Sequence, residues 1–199
     1  MSNRNTKERI LDAAEELMLE KGFHSVGLKQ ILDAVHVPKG SFYHYFESKD
    51  DFGFQMLKHY LERTTAMKRS LLLSENQESN PIERLYAYLD GGTAFLKTIP
   101  GKFPCLVLKL ASEVTDLSDP MREELAKSFE DWIGILRAVL DEAIDKKLID
   151  ATLDPYTEAQ LIQDLWNGAT QRAVINRSIE PVQHAAERIK IRINAMRTK

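Results

Sequence analysis

An all-α fold is predicted by three features of the 199-residue chain. Apolar residues recur at helical spacing along most of it, a capping residue precedes proline at three places, and no segment alternates apolar with polar as a half-buried strand does. Over residues 5–21, Ile10, Ala13, Ala14, Leu17 and Met18 share one face; Asn5 and Glu8 have capping-box spacing, and Gly22 marks a stop. A second helix over about 28–35 turns Leu28, Ile31, Leu32 and Val35 inward. Pro38 lacks a backbone donor and fits a first helical turn, so a tight turn at His36 and Val37 leads into a third helix that ends near Phe46. Ser48 caps a fourth, with Asp50 and Asp51 favoured by the helix dipole, and that helix continues to about Leu73.

The stretch 74–80 is polar and reads as a loop. Beyond it, Asn80-Pro81, Asp119-Pro120 and Asp154-Pro155 each open a helix. Further helices are expected at roughly 81–98, 104–113, 119–147, 154–177 and 180–197, about nine in all. Three short helices form an N-terminal domain, 1–48, and a larger helical domain occupies 49–199, with the fourth helix as connector.

Bulk properties narrow the function. Hydrophobic content of 43% and charged content of 29% are ordinary for a globular protein, and a net charge of −3 argues against nucleic-acid binding over the whole surface. The single cysteine, Cys105, excludes an intramolecular disulfide. The charged, periodic N-terminus does not read as a secretory signal, and no run approaches the roughly 20 apolar residues of a membrane span. A soluble cytoplasmic protein without a membrane partner is expected. The five histidines are scattered, and neither a zinc-binding H-E-x-x-H, a phosphate loop nor a G-x-S-x-G elbow occurs. No enzyme activity, metal or cofactor is expected.

The stretch "VHVPKGSFYHYFESKDDF" at 35–52 carries the sharpest signal. Two short helices joined by a tight turn make a helix-turn-helix, whose second helix enters the DNA major groove by its N-terminal residues. Here those are Lys39, Gly40, Ser41, Tyr43 and His44. Lys39 can donate to guanine or phosphate, Gly40 lets the backbone approach closely, and Ser41, Tyr43, His44 and Tyr45 can donate to phosphate oxygens. Lys49 adds charge at the start of the fourth helix. Phe42 and Phe46, four apart, face inward and anchor the reading helix. Residues 21–49 hold four Lys+Arg against two Asp+Glu, a modest electrostatic case. On the residues alone, an all-helical protein-interaction module that never touches DNA remains the alternative.

The run "VGLKQILDAVHVPKGSFYHYFESKDDF" resembles the signature of TetR/AcrR-family transcriptional regulators, and the likeness extends over about residues 6–60. It implies a homodimeric repressor that binds a palindromic double-stranded DNA operator and is released by a small-molecule effector. It adds Lys29 to the DNA-contacting set. Gly27 departs from the family's capping threonine, and His36 and Pro38 depart from its usual glycine and serine.

In the C-terminal half, Ile162, Trp166, Ala169 and Ala173 form one seam, and Val182, Ala186, Ile189, Ile193 and Met196 another. The two either pack within one chain or meet a second copy as a four-helix bundle; the resemblance implies the second. Phe95, Phe103, Phe129, Trp132 and Trp166, with Tyr86 and Tyr88, are candidate walls of an effector pocket. Cys105 follows Pro104 at the start of a helix, where a thiolate is favoured, and Lys102 and Lys109 are placed to reinforce it. An inert, buried cysteine is the plainer reading. The segment "CLVLKLASEVTDLSDPMR" (105–122) is similar to that of NemR-type regulators, a TetR subgroup associated with reactive electrophiles. That likeness implies a thiol-reactive electrophile as effector.

Overall fold

The structure, a computed structural model, describes residues 5–73, 79–114, 118–152 and 154–198. Most of the expected 74–80 loop, and Lys199, lie outside them. The described residues form nine helices: α1 (Thr6–Lys21), α2 (Leu28–Ala34), α3 (Lys39–Phe42), α4 (Lys49–Leu72), α5 (Pro81–Thr98), α6 (Leu106–Val114), α7 (Asp119–Asp145), α8 (Pro155–Asn176) and α9 (Glu180–Ala195). Among them the nearest approach to a sheet is one isolated bridge, Ile149 to Arg197.

Helix starts follow the capping chemistry of the sequence. The Asn5 side chain accepts from Lys7 N, Asn80 from Ile82 N and Glu83 N, and Asp154 from Tyr156 N. At α7 the cap is one residue earlier than expected: Ser118 Oγ accepts from Met121 N at 3.4 Å, and Asp119 is already helical. Helix α3 is shorter than expected. Its regular part ends at Phe42, and the bonds Tyr45 N to Phe42 O and Phe46 N to Phe42 O continue it as a turn.

Packing divides the chain into two compact units, and the division differs from the expected boundary at 48/49. Unit 1 comprises 1–64 and 105–128; unit 2 comprises 65–104 and 129–199. Helix α6 joins the N-terminal helices because its side chains bond to them. Lys109 Nζ donates to Leu19 O and Glu20 O, Glu113 accepts from Phe23 N, and Leu106 N donates to Tyr60 Oη on α4. Ile10, Leu11, Ala14, Met18, Ile31 and Leu32 fill the space between α1 and α2, and Arg63 on α4 pairs with Asp12 and Glu15 on α1.

Unit 2 is built on α5, α8 and α9. Leu96, Ala169, Ala173, Val182 and Ala185 form one buried cluster, with Trp166 packed against it so closely that a Cβ at Gly92 would lie 2.8 Å from the indole. Elsewhere in the unit Arg84 is a polar hub. Its Nε donates to Leu72 O at 2.9 Å, and its guanidinium pairs with Glu142, which also pairs with Lys146 at 2.9 Å. Burial opposes the Glu142 charge, but hydrogen bonds from Lys146 and Arg84 outweigh it and hold the carboxyl below its ordinary value. A carboxyl depressed on folding stabilises the protein above its unfolded pKa and loses that contribution as pH falls through its folded pKa. Glu142→Gln should therefore cost about 1–2 kcal/mol in urea melts at pH 7, a difference that shrinks as the pH falls through the depressed pKa of the folded state.

Candidate nucleic-acid interface and thiol site

The turn between α2 and α3 explains how His36 replaces glycine. His36 has φ +56°, its N–H bonds to Asp33 O, and Val37 N bonds to Leu32 O. These paired bonds form a Schellman motif, with histidine in the left-handed position that glycine usually fills. Gly27 caps α2 with no side-chain hydrogen bond, as expected from the missing threonine. Pro38 precedes α3 as its N-cap, and Ser41 N bonds to Pro38 O at 2.9 Å. Arg9 on α1 reaches across to Val35 O at 2.7 Å and fixes the end of α2.

One side of α3 is an anchor. Phe42 and Phe46 are fully buried, and both pack on Phe52 of α4, with centroids 5.4 and 4.9 Å away. Lys39, Gly40, Tyr43, His44 and Lys49 are exposed, while Ser41 and Tyr45 are half-buried. Tyr43 leaves 59% of its surface open, an unusual exposure for a large aromatic. A Cβ at Gly40 would meet nothing within 4 Å, so packing within the chain does not require glycine there. Lys29 pairs with Asp33 at 2.6 Å, but both are exposed, and such a pair contributes at most ~1 kcal/mol. It can be exchanged for a phosphate. At α4 the amides are less open to an anion than expected, because Asp51 accepts from Glu47 N and Ser48 from Asp51 N.

Cys105 is half-buried immediately before α6, and its carbonyl accepts the first helical bond, from Lys109 N. Lys109 is not its ionic partner. Its ammonium donates at 2.7 and 2.8 Å to the carbonyls of Leu19 and Glu20, where it complements the negative end of α1. The group at the sulfur is Tyr60, which the sequence reading missed. Its hydroxyl accepts from Leu106 N, the amide next to Cys105, at 3.1 Å. Burial first, then interaction with Cys105, pushes the phenol pKa far up, so Tyr60 keeps its proton. Its inward place on α4, one turn after Met56 and Leu57, was readable; its pairing with a residue 45 positions away was not.

In unit 2 the structure places the expected pocket and interface residues as follows. Phe95 is 52% exposed and Phe103 half-buried. Trp132 is core, its Nε1 donating to Thr65 Oγ1 at 2.8 Å, with Phe129 edge-on to it and Lys68 Nζ 4.3 Å over its ring. Trp166 covers Gly92. None of the five lines the 230 Å³ cleft that opens at the ends of α5 and α8. The seam of Ile162, Ala169, Ala173, Val182, Ala186, Ile189 and Ile193 is buried within the single chain, which leaves these residues little surface for a partner. The apolar residues left exposed on these helices are Leu161, Leu165, Ile175 and Ile191.

Known proteins match the chain across both units. A family profile for the tetracyclin repressor-like C-terminal domain matches residues 81–189, and one for bacterial regulatory proteins of the tetR family matches residues 10–54. The chain belongs to the TetR family. It is 37% identical over 190 residues to the HTH-type transcriptional repressor NemR of Escherichia coli K12, covering 94% of this chain and 92% of that one. It is 31% identical to the repressor DhaR of Mycobacterium sp. GP1, covering 92% and 89%. The crystal structure of reduced E. coli NemR superposes with a TM-score of 0.87 at 35% identity, over 94% of this chain and 96% of that one. A TetR regulatory protein from Rhodobacter sphaeroides gives 0.81 at 29%, over 92% and 96%.

This TetR-family chain is a DNA-binding transcriptional regulator, and the interaction module that never touches DNA is set aside. No described helix is long and apolar enough to cross a membrane. Within unit 1, α6 is strapped to α1 by two side chains of opposite charge, Lys109 on carbonyls and Glu113 on the Phe23 amide. Lys109→Met should lower thermal stability by about 1–3 kcal/mol, because two charge-assisted bonds are lost and two carbonyls are left to water. Calorimetry of the purified variant checks this.

Proposed function

We propose that the protein is a homodimeric repressor that reads a palindromic operator through α3 and is released when Cys105 reacts with an electrophile. The observation that carries the release mechanism is the position of Cys105. It sits at the start of the helix strapped to α1, next to the amide of Leu106 that donates to the buried Tyr60 hydroxyl. The likeness to NemR, one of whose structures is described as a reduced form, supports a thiol-based reading.

In the proposed chemistry the Cys105 thiol loses its proton to water and the resulting thiolate attacks an activated alkene. A C–S bond forms, the π pair moves to the activating carbonyl, and a proton from water completes the adduct. The adduct adds bulk beside Tyr60 and the first turn of α6. Because Lys109 and Glu113 tie α6 to the end of α1, the displacement reaches the helix that supports α2. Populations then shift toward a form whose two reading helices no longer fit adjacent major grooves.

Lys29, Lys39, Gly40, Ser41, Tyr43, His44, Tyr45 and Lys49 form the proposed DNA surface, with the lysines and hydroxyls on phosphates and Lys39 nearest the base edges. The proposed dimer face uses Leu161, Leu165, Ile175 and Ile191 instead of the buried seam; Leu161, Leu165 and Ile175 lie on one side of α8 at helical spacing.

Fluorescence anisotropy on upstream intergenic DNA, with and without N-ethylmaleimide, tests the reading. Wild type should bind and be released by the reagent, whereas Cys105→Ser should bind and stay bound. Release of both proteins alike would remove Cys105 from the mechanism. Lys39→Ala should lower the salt dependence of log K by about one per reading helix and weaken binding on every sequence. An unchanged slope would take Lys39 off the phosphates. Leu161→Glu with Leu165→Glu should sediment as a folded monomer with operator affinity reduced at least ~100-fold; a dimer with intact affinity would place the interface elsewhere.

A further inference from the structure

We infer that the cleft at the ends of α5 and α8 is a binding site for a small amphipathic carboxylate. The cleft encloses about 230 Å³, below the roughly 300–1,000 Å³ of pockets for drug-sized ligands, so its ligand has only a few carbon atoms. Its floor is apolar: Leu96 and Ala173 belong to the buried cluster of unit 2, and Ile99 and Ile179 pack against that cluster.

The polar lining is of one sign. Lys97, Lys102 and Arg177 all contribute, together with Ser178, and none of the lining residues is acidic. All three cations are exposed, and none forms an ion pair with another described residue. Helix dipoles do not cancel this charge. The C-termini of α5 and α8 each bring about half a negative charge, and the nearby start of α9 brings about half a positive one. Against three full cations the balance stays positive. The terminal carbonyls are also partly satisfied, by Ile99 N on Leu96 O, Arg177 N on Val174 O and Ser178 N on Ala173 O.

Arg177 has an unusual backbone. It occupies a left-handed conformation, φ +49°, at the end of α8, where glycine is the least strained choice. Its stem lies over Gly101, itself at φ +72°, whose Cβ, were it present, would come within 3.2 Å of Arg177 Cγ. A guanidinium above an apolar floor, with a serine hydroxyl alongside, suits a carboxylate head with a short aliphatic tail.

The site is separate from Cys105 chemistry, and its test does not depend on DNA release. Isothermal titration of the full-length protein and of Cys105→Ser compares hexanoate, 1-hexanol and hexylamine at constant ionic strength. Hexanoate should bind both proteins equally at millimolar concentration or below, with the alcohol at least ~10-fold weaker and the amine weaker still. Arg177→Asn, which keeps a residue tolerant of the left-handed backbone, should weaken hexanoate roughly 10-fold and leave the alcohol unchanged. Val174→Phe, which fills the cleft from the half-buried face of α8, should abolish binding of both. Hexylamine binding as well as hexanoate, hexanoate binding unchanged in Val174→Phe, or no heat from hexanoate at millimolar concentration would each overturn the inference. The wild-type ranking of the three ligands decides the matter even if a variant fails to fold.

Discussion

A helix of four residues cannot hold its own shape in water, because nucleation costs more than so few bonds return. Helix α3 exists as a presented element because Phe42 and Phe46 are pressed against Phe52 at the start of α4. The three rings form a closed triangle, with Phe42 and Phe46 also 4.9 Å apart. That triangle fixes α3 about its axis, so Lys39, Gly40, Tyr43 and His44 face outward together. Remove one ring and the reading surface loses its orientation before it loses any contact of its own.

The same unit shows how a change at one residue can reach that surface without crossing a long distance. The N-terminal end of α6 carries Cys105 and Tyr60 Oη, and the Lys109 and Glu113 side chains further along the helix grip the end of α1. The two grips are opposite in sign because they meet opposite ends of the backbone dipole, carbonyls at Leu19 and Glu20 and an amide at Phe23. A strap of this kind resists sliding in either direction. On the proposed reading, it turns a local swelling at the α6 N-terminus into a push on α1. The role expected for Lys109 beside the thiol is thus exchanged for one that matters more to coupling.

Helix starts were legible in the sequence, and apart from α3 the stops fell within two residues of their expected places, but the backbone conformation that makes several of them was not legible. Asn5, Asn80 and Asp154 cap where their side chains place them, the last two helped by the proline that follows, since N-cap chemistry is local. Four of the stops use a residue at positive φ, and of these only Gly22 announced itself. Helices α2, α7 and α8 end in Schellman motifs with His36, Lys147 and Arg177 in the glycine position, each with the bond of the next residue reaching five back. The surrounding fold, not the residue's own preference, chooses these conformations. Phe42 and Phe46 were legible for the same reason the caps were: a spacing of four on a short helix admits one inward face. Aromatic content gave no guide to a cavity, because rings fill cores at least as readily as they line pockets. Tyr60 was unreadable as the partner of Cys105 because nothing local links α4 to α6.

The seams on α8 and α9 show what periodicity can and cannot decide. A stripe at intervals of four and three identifies an apolar face but not the chain that covers it. Here Ile162, Ala169 and Ala173 are covered from within by α9 and α5, and small side chains on both sides allow that close packing. Leu161 and Leu165, each one position before a residue of that stripe, and Ile175 two positions after it, remain uncovered. A helix so apolar on two sides is what the proposed dimer would cover. The DNA surface makes the same demand from the other end of the argument. With a net excess of only two cations over residues 21–49, one reading unit has little electrostatic hold on a duplex. Two units joined by a stable dimer bind as one, the second contact being made at the high effective concentration set by the first. On the proposed reading, affinity for an operator resides in the spacing of two weak surfaces, and a spacing can be disturbed by far less energy than would be needed to break either surface.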